Sequence, residues 1–534
     1  MNQLLNAVTY PISVAPGASR LFTDFCAGAA GAFIALDENR RERPPLPPHW
    51  PELVRVLAEQ NPSPAAAHAL EALRRGAGMV ATGQQVGLFG GQVLTPLKAA
   101  TAVARARKAT AAGQPHAALF WLASEDHDFA EINSVAFPAG KELRTLAWSP
   151  AEQPAARPVG RIVLDDSILP LVEQAAEILG PSAAAEALAE AYQPGRTLAQ
   201  AFARFYSAIF AAQGLLIVDA AERTLHRMGA PVLRAALERA DELHAALLER
   251  NRALEAAGYH AQVAVAEQSS LLFLIDEHTA ARVALKRTPA GGPEPDGLWQ
   301  AGPRSYSTAD LIGILETEPE RISPSALLRP VFQDFLLSTS AIIGGPAEIA
   351  YFAQSAVLYE RILGRKTPAF PRLSATLIEP AVAELLRRHD LTPEQIFGED
   401  PTSLAQRLAE RTMPAEGRRR LAATAQALDA EVDALVGWMR SLDQGLGQSA
   451  ETAAGKMRYQ MDRLHRLAEN FQLQREASLG RHAQALCQAI FPGGAMQERV
   501  HGAAYYFARH GMELAEALAA QAADSCVGHV ALWL

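Results

Sequence analysis

The stretch from Met79 to Asn133 limits the fold more than any other, because it reads as a complete β-loop-α-β unit. Met79-Val80-Ala81 is a short apolar run of the kind a buried strand makes, and Thr82-Gly83-Gln84-Gln85 breaks it with a glycine and polar side chains. Gly87, Gly90 and Gly91 follow, ahead of a helix that can open with Thr95 as N-cap and Pro96 at its first position, so that amide groups face an anion. The alanine-rich helix, expected to about Thr110, crosses to a second apolar run, Ala117 to Ala123, which stops at Ser124-Glu125-Asp126-His127-Asp128. Two such strands are expected to be parallel and adjacent, with both following loops at one sheet edge, where open α/β sheets bind their ligands. A row of polar and ionisable residues directly after Phe120-Trp121-Leu122-Ala123 is hard to explain as core.

The rest of the chain extends this pattern. Thr197 to Gln213 is expected to be a helix closed by Gly214, and Leu215 to Val218 a buried strand that also ends in a carboxylate, Asp219. From Ala261 the residues alternate in the manner of antiparallel strands, with a Pro/Gly loop at Thr288 to Gly297. Ala341-Ile342-Ile343 is closed by Gly344-Gly345-Pro346, with Glu348 in the first turn of a helix, which repeats the arrangement of glycines before a helix N-terminus. Further strands are expected within Ala369 to Glu379 and at the chain end, His529 to Leu534. Beyond about residue 381 the pattern is helical. Leu421, Ala425, Leu428, Val432, Leu435, Met439, Leu442 and Leu446 alternate spacings of four and three. Met457, Met461, Leu464, Ala468 and Phe471 repeat this after a turn-like stretch, Gly445 to Gly455, predicting an antiparallel hairpin about 40 Å long.

The expected architecture is therefore α/β, with a Rossmann-like parallel-sheet core over 1–380 carrying insertions at about 138–195 and 258–320. A helical coiled-coil arm over 381–478 follows, and 479–534 returns to the core. A proline-rich spacer, Arg43 to Pro48, belongs to the N-terminal lead-in. The chain of 534 residues exceeds one compact core. A net charge of −9 argues against a nucleic-acid partner, and no run approaches a membrane span, so a cytoplasmic protein is expected. Cys26, Cys487 and Cys526 are scattered and form neither a disulfide framework nor a zinc knuckle.

Generic nucleotide motifs are missing: there is no GxxxxGK[ST], and Gly87-Leu88-Phe89-Gly90-Gly91 is not GxGxxG. Glu125, Asp126, His127 and Asp128 suit general acid/base work, a grip on a substrate amine or a divalent ion, although no metal site is assigned. Lys98, one turn into the crossover helix, could reach back to an anion at the loop. Arg329 precedes Pro330, which predicts extended backbone and a guanidinium in need of a carboxylate from the core or from a substrate.

Taken together, Thr82-Gly83-Gln84-Gln85-Val86-Gly87-Leu88, Glu125 to Phe129, Arg329-Pro330-Val331-Phe332-Gln333 and Ile343-Gly344-Gly345-Pro346-Ala347-Glu348-Ile349-Ala350-Tyr351 resemble the bacillithiol-biosynthesis cysteine-adding enzymes. Pro371-Arg372-Leu373-Ser374 and Gln497-Glu498-Arg499 are similar to later signatures of that family. Gln92, Ser124 and Phe332 depart from its usual proline, glycine and tyrosine. The resemblance implies a Rossmann-like core with connecting insertions and a coiled-coil arm. It also implies a ligase joining cysteine to the amine of glucosaminyl malate in the last step of bacillithiol synthesis.

On this reading Glu125, Asp126, His127 and Asp128 are the expected catalytic residues. Thr82, Gln84, Gln85, Lys98, Arg329, Gln333, Glu348 and Tyr351 are expected to bind substrate, and Gly87, Gly90, Gly91, Gly344 and Gly345 a nucleotide or anion. ATP is the expected activator, because amide formation from a free carboxylate is uphill in water. A nucleotidylyltransferase-like enzyme is the alternative, disfavoured because Gln84 and Gln85 stand where a histidine pair would grip a triphosphate. A coiled-coil scaffold without catalysis leaves the strand-end polar clusters unexplained. The arm is expected to pair with a second copy in a homodimer.

Overall fold

The computed structural model of the protein describes residues 5–35, 45–140, 142–152, 156–287, 298–476, 478–524 and 527–534. The Pro/Gly loop expected at 288–297, Arg43-Pro44 of the spacer, and Cys526 lie outside them. The chain divides into two units, Met1–Leu377 with Gln497–Leu534, and Ile378–Met496.

In the first unit five strands form a parallel sheet: β1 (Gly78–Gln84), β2 (His116–Leu122), β3 (Leu216–Asp219), β4 (Thr339–Gly344) and β5 (Ala369–Pro371). Their order is β5-β4-β1-β2-β3, with every neighbouring pair parallel. Alternation along the strands sends Met79, Ala81, Leu119 and Trp121 to one buried cluster and Val80, Phe120, Leu122 and Ile217 to another, so both faces of the sheet are covered. From β1 the chain proceeds one way to β2 and β3 and later returns on the other side as β4 and β5. The strand order reverses between β1 and β4, and such a switch point opens a crevice at the C-terminal strand ends.

Helix α1 (Leu94–Ala111) connects β1 to β2, α2 (Arg223–Glu238) follows β3, and α3 (Arg329–Leu337) and α4 (Pro346–Leu358) flank β4. Two helix starts differ from the sequence expectation. α1 begins at Leu94 with Val93 before it, so Thr95 and Pro96 lie inside the first turn. The entry is set from outside the segment: Val93 N–H donates to His501 O at 2.9 Å, and Gln92 bridges to Gly502. Arg329 is helical and not extended; its N–H donates to Ser325 O at 2.8 Å, and Pro330 takes the second helical position, where a missing N–H costs nothing.

An antiparallel five-stranded sheet made from Ser269–Ile275, Arg282–Arg287, Trp299–Ala301, Arg304–Tyr306 and Ile322–Pro324 occupies the region between α2 and α3. The terminal strand Gly528–Trp533 pairs antiparallel with Asn6–Pro11. No helix among the described residues is long and apolar enough to cross a membrane.

The second unit is helical. Its long pair, α5 (Ala415–Leu442) and α6 (Gln444–Arg475), turns at Asp443, whose carboxylate accepts the Leu446 N–H at 2.9 Å. The expected turn at Gly445 to Gly455 is therefore helix, because a single capping aspartate reverses the chain. The inner seam also differs from the heptads read in the sequence: Val432, Val436 and Ala454 form its core with Leu428 and Ala450, and Met461 is buried. Leu435, Leu442, Leu446, Met457, Leu464 and Phe471 face solvent, each 43–60 % exposed. A spacing of four and three identifies an apolar stripe but not which of two adjacent stripes the partner helix covers.

Candidate functional site

A cavity of about 320 Å³ opens at the switch point, lined by the ends of β1 and β4, the turn after β2, and the first turns of α3 and α4. Of the residues singled out in the sequence, it brings together Gln84, Gln85, Lys98, Asp126, Arg329, Gln333, Gly345, Glu348 and Tyr351. Trp121, Glu131, Arg372 and Arg499 join them.

Lys98 is fully committed within the protein. Its Nζ donates to Gly83 O at 2.9 Å and Gln84 Oε1 at 2.6 Å, and lies 2.5 Å from Glu348 Oε2. Burial pulls the ammonium below its ordinary value and Glu348 opposes that shift. The anion it reaches is thus a side chain of α4 and not a ligand at the glycine loop. Glu348 also accepts the Gly345 N–H at 2.8 Å, closing the helix N-terminus around the same carboxylate.

On the other wall, the Gln85 amide nitrogen bridges Asp126 Oδ2 at 2.6 Å and Glu131 Oε2 at 3.0 Å. Burial alone would raise the Asp126 carboxyl. Hydrogen bonds from Gln85 and the His127 N–H, with the Arg282 and Arg329 charges nearby, outweigh it and hold the group below the usual carboxylate range. Arg329 donates from Nη2 to Tyr351 Oη at 2.9 Å and has no carboxylate at ion-pair distance among the described residues. Arg372 is neutralised by Glu498 at 2.5 Å. Arg499 makes no hydrogen bond or ion pair within the described residues, although its guanidinium sits in the field of Glu498 and Glu348. The cavity therefore presents two guanidinium groups and two carboxylates that are not paired with opposite charges, which suits a ligand carrying both signs.

Other residues expected in the site stand behind it. Thr82 is buried and donates to Ile343 O at 3.2 Å. Asp128 caps the short helix Phe129–Ile132, accepting the Glu131 N–H at 3.1 Å. His127 packs on Phe273, with its Nδ1 3.4 Å from Arg282 Nη1. Gly344 is the last residue of β4, and a Cβ there would meet Phe352 at 2.9 Å.

The glycine loop differs most from its expected role. The Gly90 N–H donates to Tyr192 Oη at 2.9 Å, Tyr206 Oη donates to Gly90 O at 2.8 Å, and the Gly87 and Gly91 N–H groups are bonded to Gln85 O and Leu88 O. Gly90 has φ +87° and a Cβ there would lie 2.6 Å from Phe205, so the glycines serve close packing and leave no free amide cradle.

Glu125 faces away from the cavity, into the protein. Its Oε1 lies 2.8 Å from Nε2 of His226 in α2, which is fully buried, and His226 Nδ1 lies 2.9 Å from Ile322 O. Acceptors stand at both ring nitrogens, so both carry protons. Burial would lower this imidazole, but Glu125 overrides it and raises the pKa above 6.5. A raised folded value stabilises the protein in full below the unfolded pKa, and the contribution is lost as pH rises through the folded one. Thermal melts are expected to weaken on the alkaline side of pH 6.5, and His226→Gln to remove that part of the slope; an unchanged slope would exclude the pair as its source.

His226, Arg282, Glu131 and Trp121 were missed by sequence reasoning. His226 and Arg282 carry no local signal. Arg282 arrives from the antiparallel sheet, donating to Ser323 Oγ and Pro324 O at 2.9 Å and lying 3.8 Å over the Phe273 ring. Arg372 and Arg499 stood within recognisable signatures and could have been added on that basis. Among the described residues no group of three or more His, Cys, Asp or Glu is placed to hold a metal ion.

Comparison with known proteins agrees with the Rossmann-like and coiled-coil parts of the fold. Residues 35–373 match the family described as "Bacillithiol biosynthesis BshC, N-terminal Rossmann-like domain", and residues 375–531 match its "C-terminal coiled-coil domain". The chain is 41% identical to the "Putative cysteine ligase BshC" of Koribacter versatilis over 97% of its own length and 98% of that relative. It is 36% identical to the protein of that name from Solibacter usitatus, covering 91% and 88%, and 32% identical to one from Thermus thermophilus, covering 93% and 96%.

Proposed function

The chain belongs to the BshC family of bacillithiol biosynthesis, and on that premise we propose that this ligase joins the carboxyl group of cysteine to the amine of glucosaminyl malate, in the last step of the pathway. The observation that carries the reading is the charge set of the switch-point cavity. Arg329 and Arg499 suit the two carboxylates of a malyl group, and Asp126 with Glu131 suits an amine that arrives as an ammonium and must lose a proton before it attacks. ATP is the proposed source of activation, since the carboxylate has to become a better acyl donor. The occupied glycine loop does not support phosphate binding there, and the first turn of α4 is closed by the Glu348 carboxylate. Such a reaction belongs in the cytoplasm. Thiol profiling of a deletion strain tests the whole reading: loss of bacillithiol with accumulated glucosaminyl malate is the expected result, and unchanged bacillithiol would overturn it.

Arg329→Lys is expected to weaken acceptor binding by about tenfold or more, because an ammonium does not reproduce a planar two-pronged grip. Steady-state saturation with each substrate checks this, and unchanged constants for both would remove Arg329 from the site.

We also propose a homodimer through the arm. The outward stripe of Leu435, Trp438 and Leu442 on α5 and of Met457, Leu464 and Phe471 on α6 is large for a surface facing water. An identical arm is the simplest closed two-fold cover. Light scattering is expected to give a dimer for the intact protein and a monomer when 415–475 is replaced by a short linker. A monomeric intact protein at micromolar concentration, or a dimeric shortened one, would assign the stripe another role.

A further inference from the structure

Two side chains of the cavity wall carry buried N–H groups that the protein leaves unpaired. Trp121 Nε1 and Gln333 Nε2 are buried with no hydrogen-bond partner among the described residues, and both side chains line the cavity. Trp121 is 1 % exposed and Gln333 5 %. They stand on β2 and α3, and the Trp121 ring is met edge-on by Phe332, the neighbour of Gln333, at 6.3 Å and 79°. An indole has one donor and no acceptor, so no rotation or tautomer relieves it. A buried donor without a partner costs about 1–3 kcal/mol, and native proteins tolerate few of them. Two on one cavity constitute a penalty that an occupant offering an acceptor oxygen removes.

We propose that Trp121 and Gln333 form an uncharged subsite that takes an oxygen of the carboxyl group of the amino-acid substrate, an assignment that rests on the ligase reading above. The charged groups of the cavity suit the other substrate: Arg329 and Arg499 are guanidinium groups free to meet fixed carboxylates. A carboxyl group destined to become an acyl group loses its charge on the way. Two neutral N–H donors hold its oxygen before and after that change, whereas an ion pair would favour the unreacted carboxylate and so oppose reaction. Lys98 cannot take this part, because its donors are spent on Gly83, Gln84 and Glu348.

Titration calorimetry on the full-length protein tests the subsite, with L-cysteine and with cysteamine, which lacks the carboxyl group. The expected result is wild-type binding of cysteine about tenfold or more tighter than cysteamine, with that preference lost in both Trp121→Phe and Gln333→Met. Gln333→Met should unfold at the same or a higher temperature in the absence of ligand, since it removes an orphaned donor at nearly constant volume. A clear fall in its melting temperature with the cysteine preference intact would overturn the proposal and make Gln333 a packing residue. Retained preference in both variants would overturn the subsite while leaving the ligase reading in place. Binding of malate but not cysteine, with the same dependence on both residues, would keep the carboxyl subsite and sink the assignment of cysteine. Absence of any carboxylate binding by the wild type would overturn the subsite itself.

Discussion

Asp126→Asn is expected to lower turnover by about 10²–10⁴-fold, the range that a positioned acid or base supplies, with little change in resistance to urea. The residue lies in the turn after β2 at the cavity, its two oxygens held by the Gln85 amide at 2.6 Å and the His127 N–H at 2.7 Å. Those bonds, with the Arg282 and Arg329 charges, overcome the effect of burial and keep the carboxylate ionised. Asparagine preserves the shape but loses the charge that holds an ammonium and the basicity that accepts its proton. The charge also opposes the buried Arg282, which keeps Glu125 as a second opposing carboxylate, so the loss of stability should be small beside the loss of turnover. His127→Ala, which the sequence alone would rank equally, is expected to do less, because the imidazole lies outside the cavity against Phe273. Rate measurements at saturating substrates beside urea denaturation decide the matter: intact turnover with a large loss of stability would make Asp126 a structural residue.

The largest effect on stability is expected at Arg372 and Glu498. Arg372 Nη1 and Nη2 meet the two Glu498 oxygens at 2.9 and 2.5 Å, the Ala375 N–H donates to Oε2 at 2.9 Å, and Ser374 Oγ donates at 3.2 Å. Both partners are nearly sealed from water, 2 % and 3 % exposed. Burial would raise the Glu498 carboxyl, but Arg372 dominates and brings it down to about 2. Removing one partner of such a pair leaves a buried charge without compensation, and Arg372→Met is expected to cost about 3–5 kcal/mol. The double variant Arg372→Met, Glu498→Met should recover much of that, since two apolar side chains replace two satisfied charges. A depressed carboxylate pKa contributes stability that is complete above the unfolded value of 4.5 and lost as pH falls towards 2. Acid unfolding of the wild type should therefore steepen in that window, and the double variant should lack this component. Equal denaturation midpoints for the single variant and the wild type would show that the pair contributes no net stability.

The β-loop-α-β unit, the polar row after β2 and the helical hairpin were all legible in the sequence, because each rests on interactions between residues a few positions apart. Apolar runs such as Met79 to Ala81 and Ala117 to Ala123 mark strands, although the first strand continues through Gly83 to Gln84, and the reach of a side chain along a helix makes a stripe of Leu428, Val432 and their neighbours. The tertiary structure decided what those local patterns leave open. Glycines before a helix permit free amides, yet Tyr192 and Tyr206, more than a hundred positions later, take up the loop at Gly90. A lysine one turn into α1 reads as an anion grip until Glu348 of α4 is brought to 2.5 Å. A heptad specifies an apolar stripe, and only packing of α5 on α6 selects Val436 over Leu435 for the inside. The same holds for His226 behind Glu125 and for Arg499 at the cavity. Secondary structure follows from near neighbours and solvent, whereas the partner of a buried charge or hydrogen-bond donor depends on which distant segments the chain brings to one place.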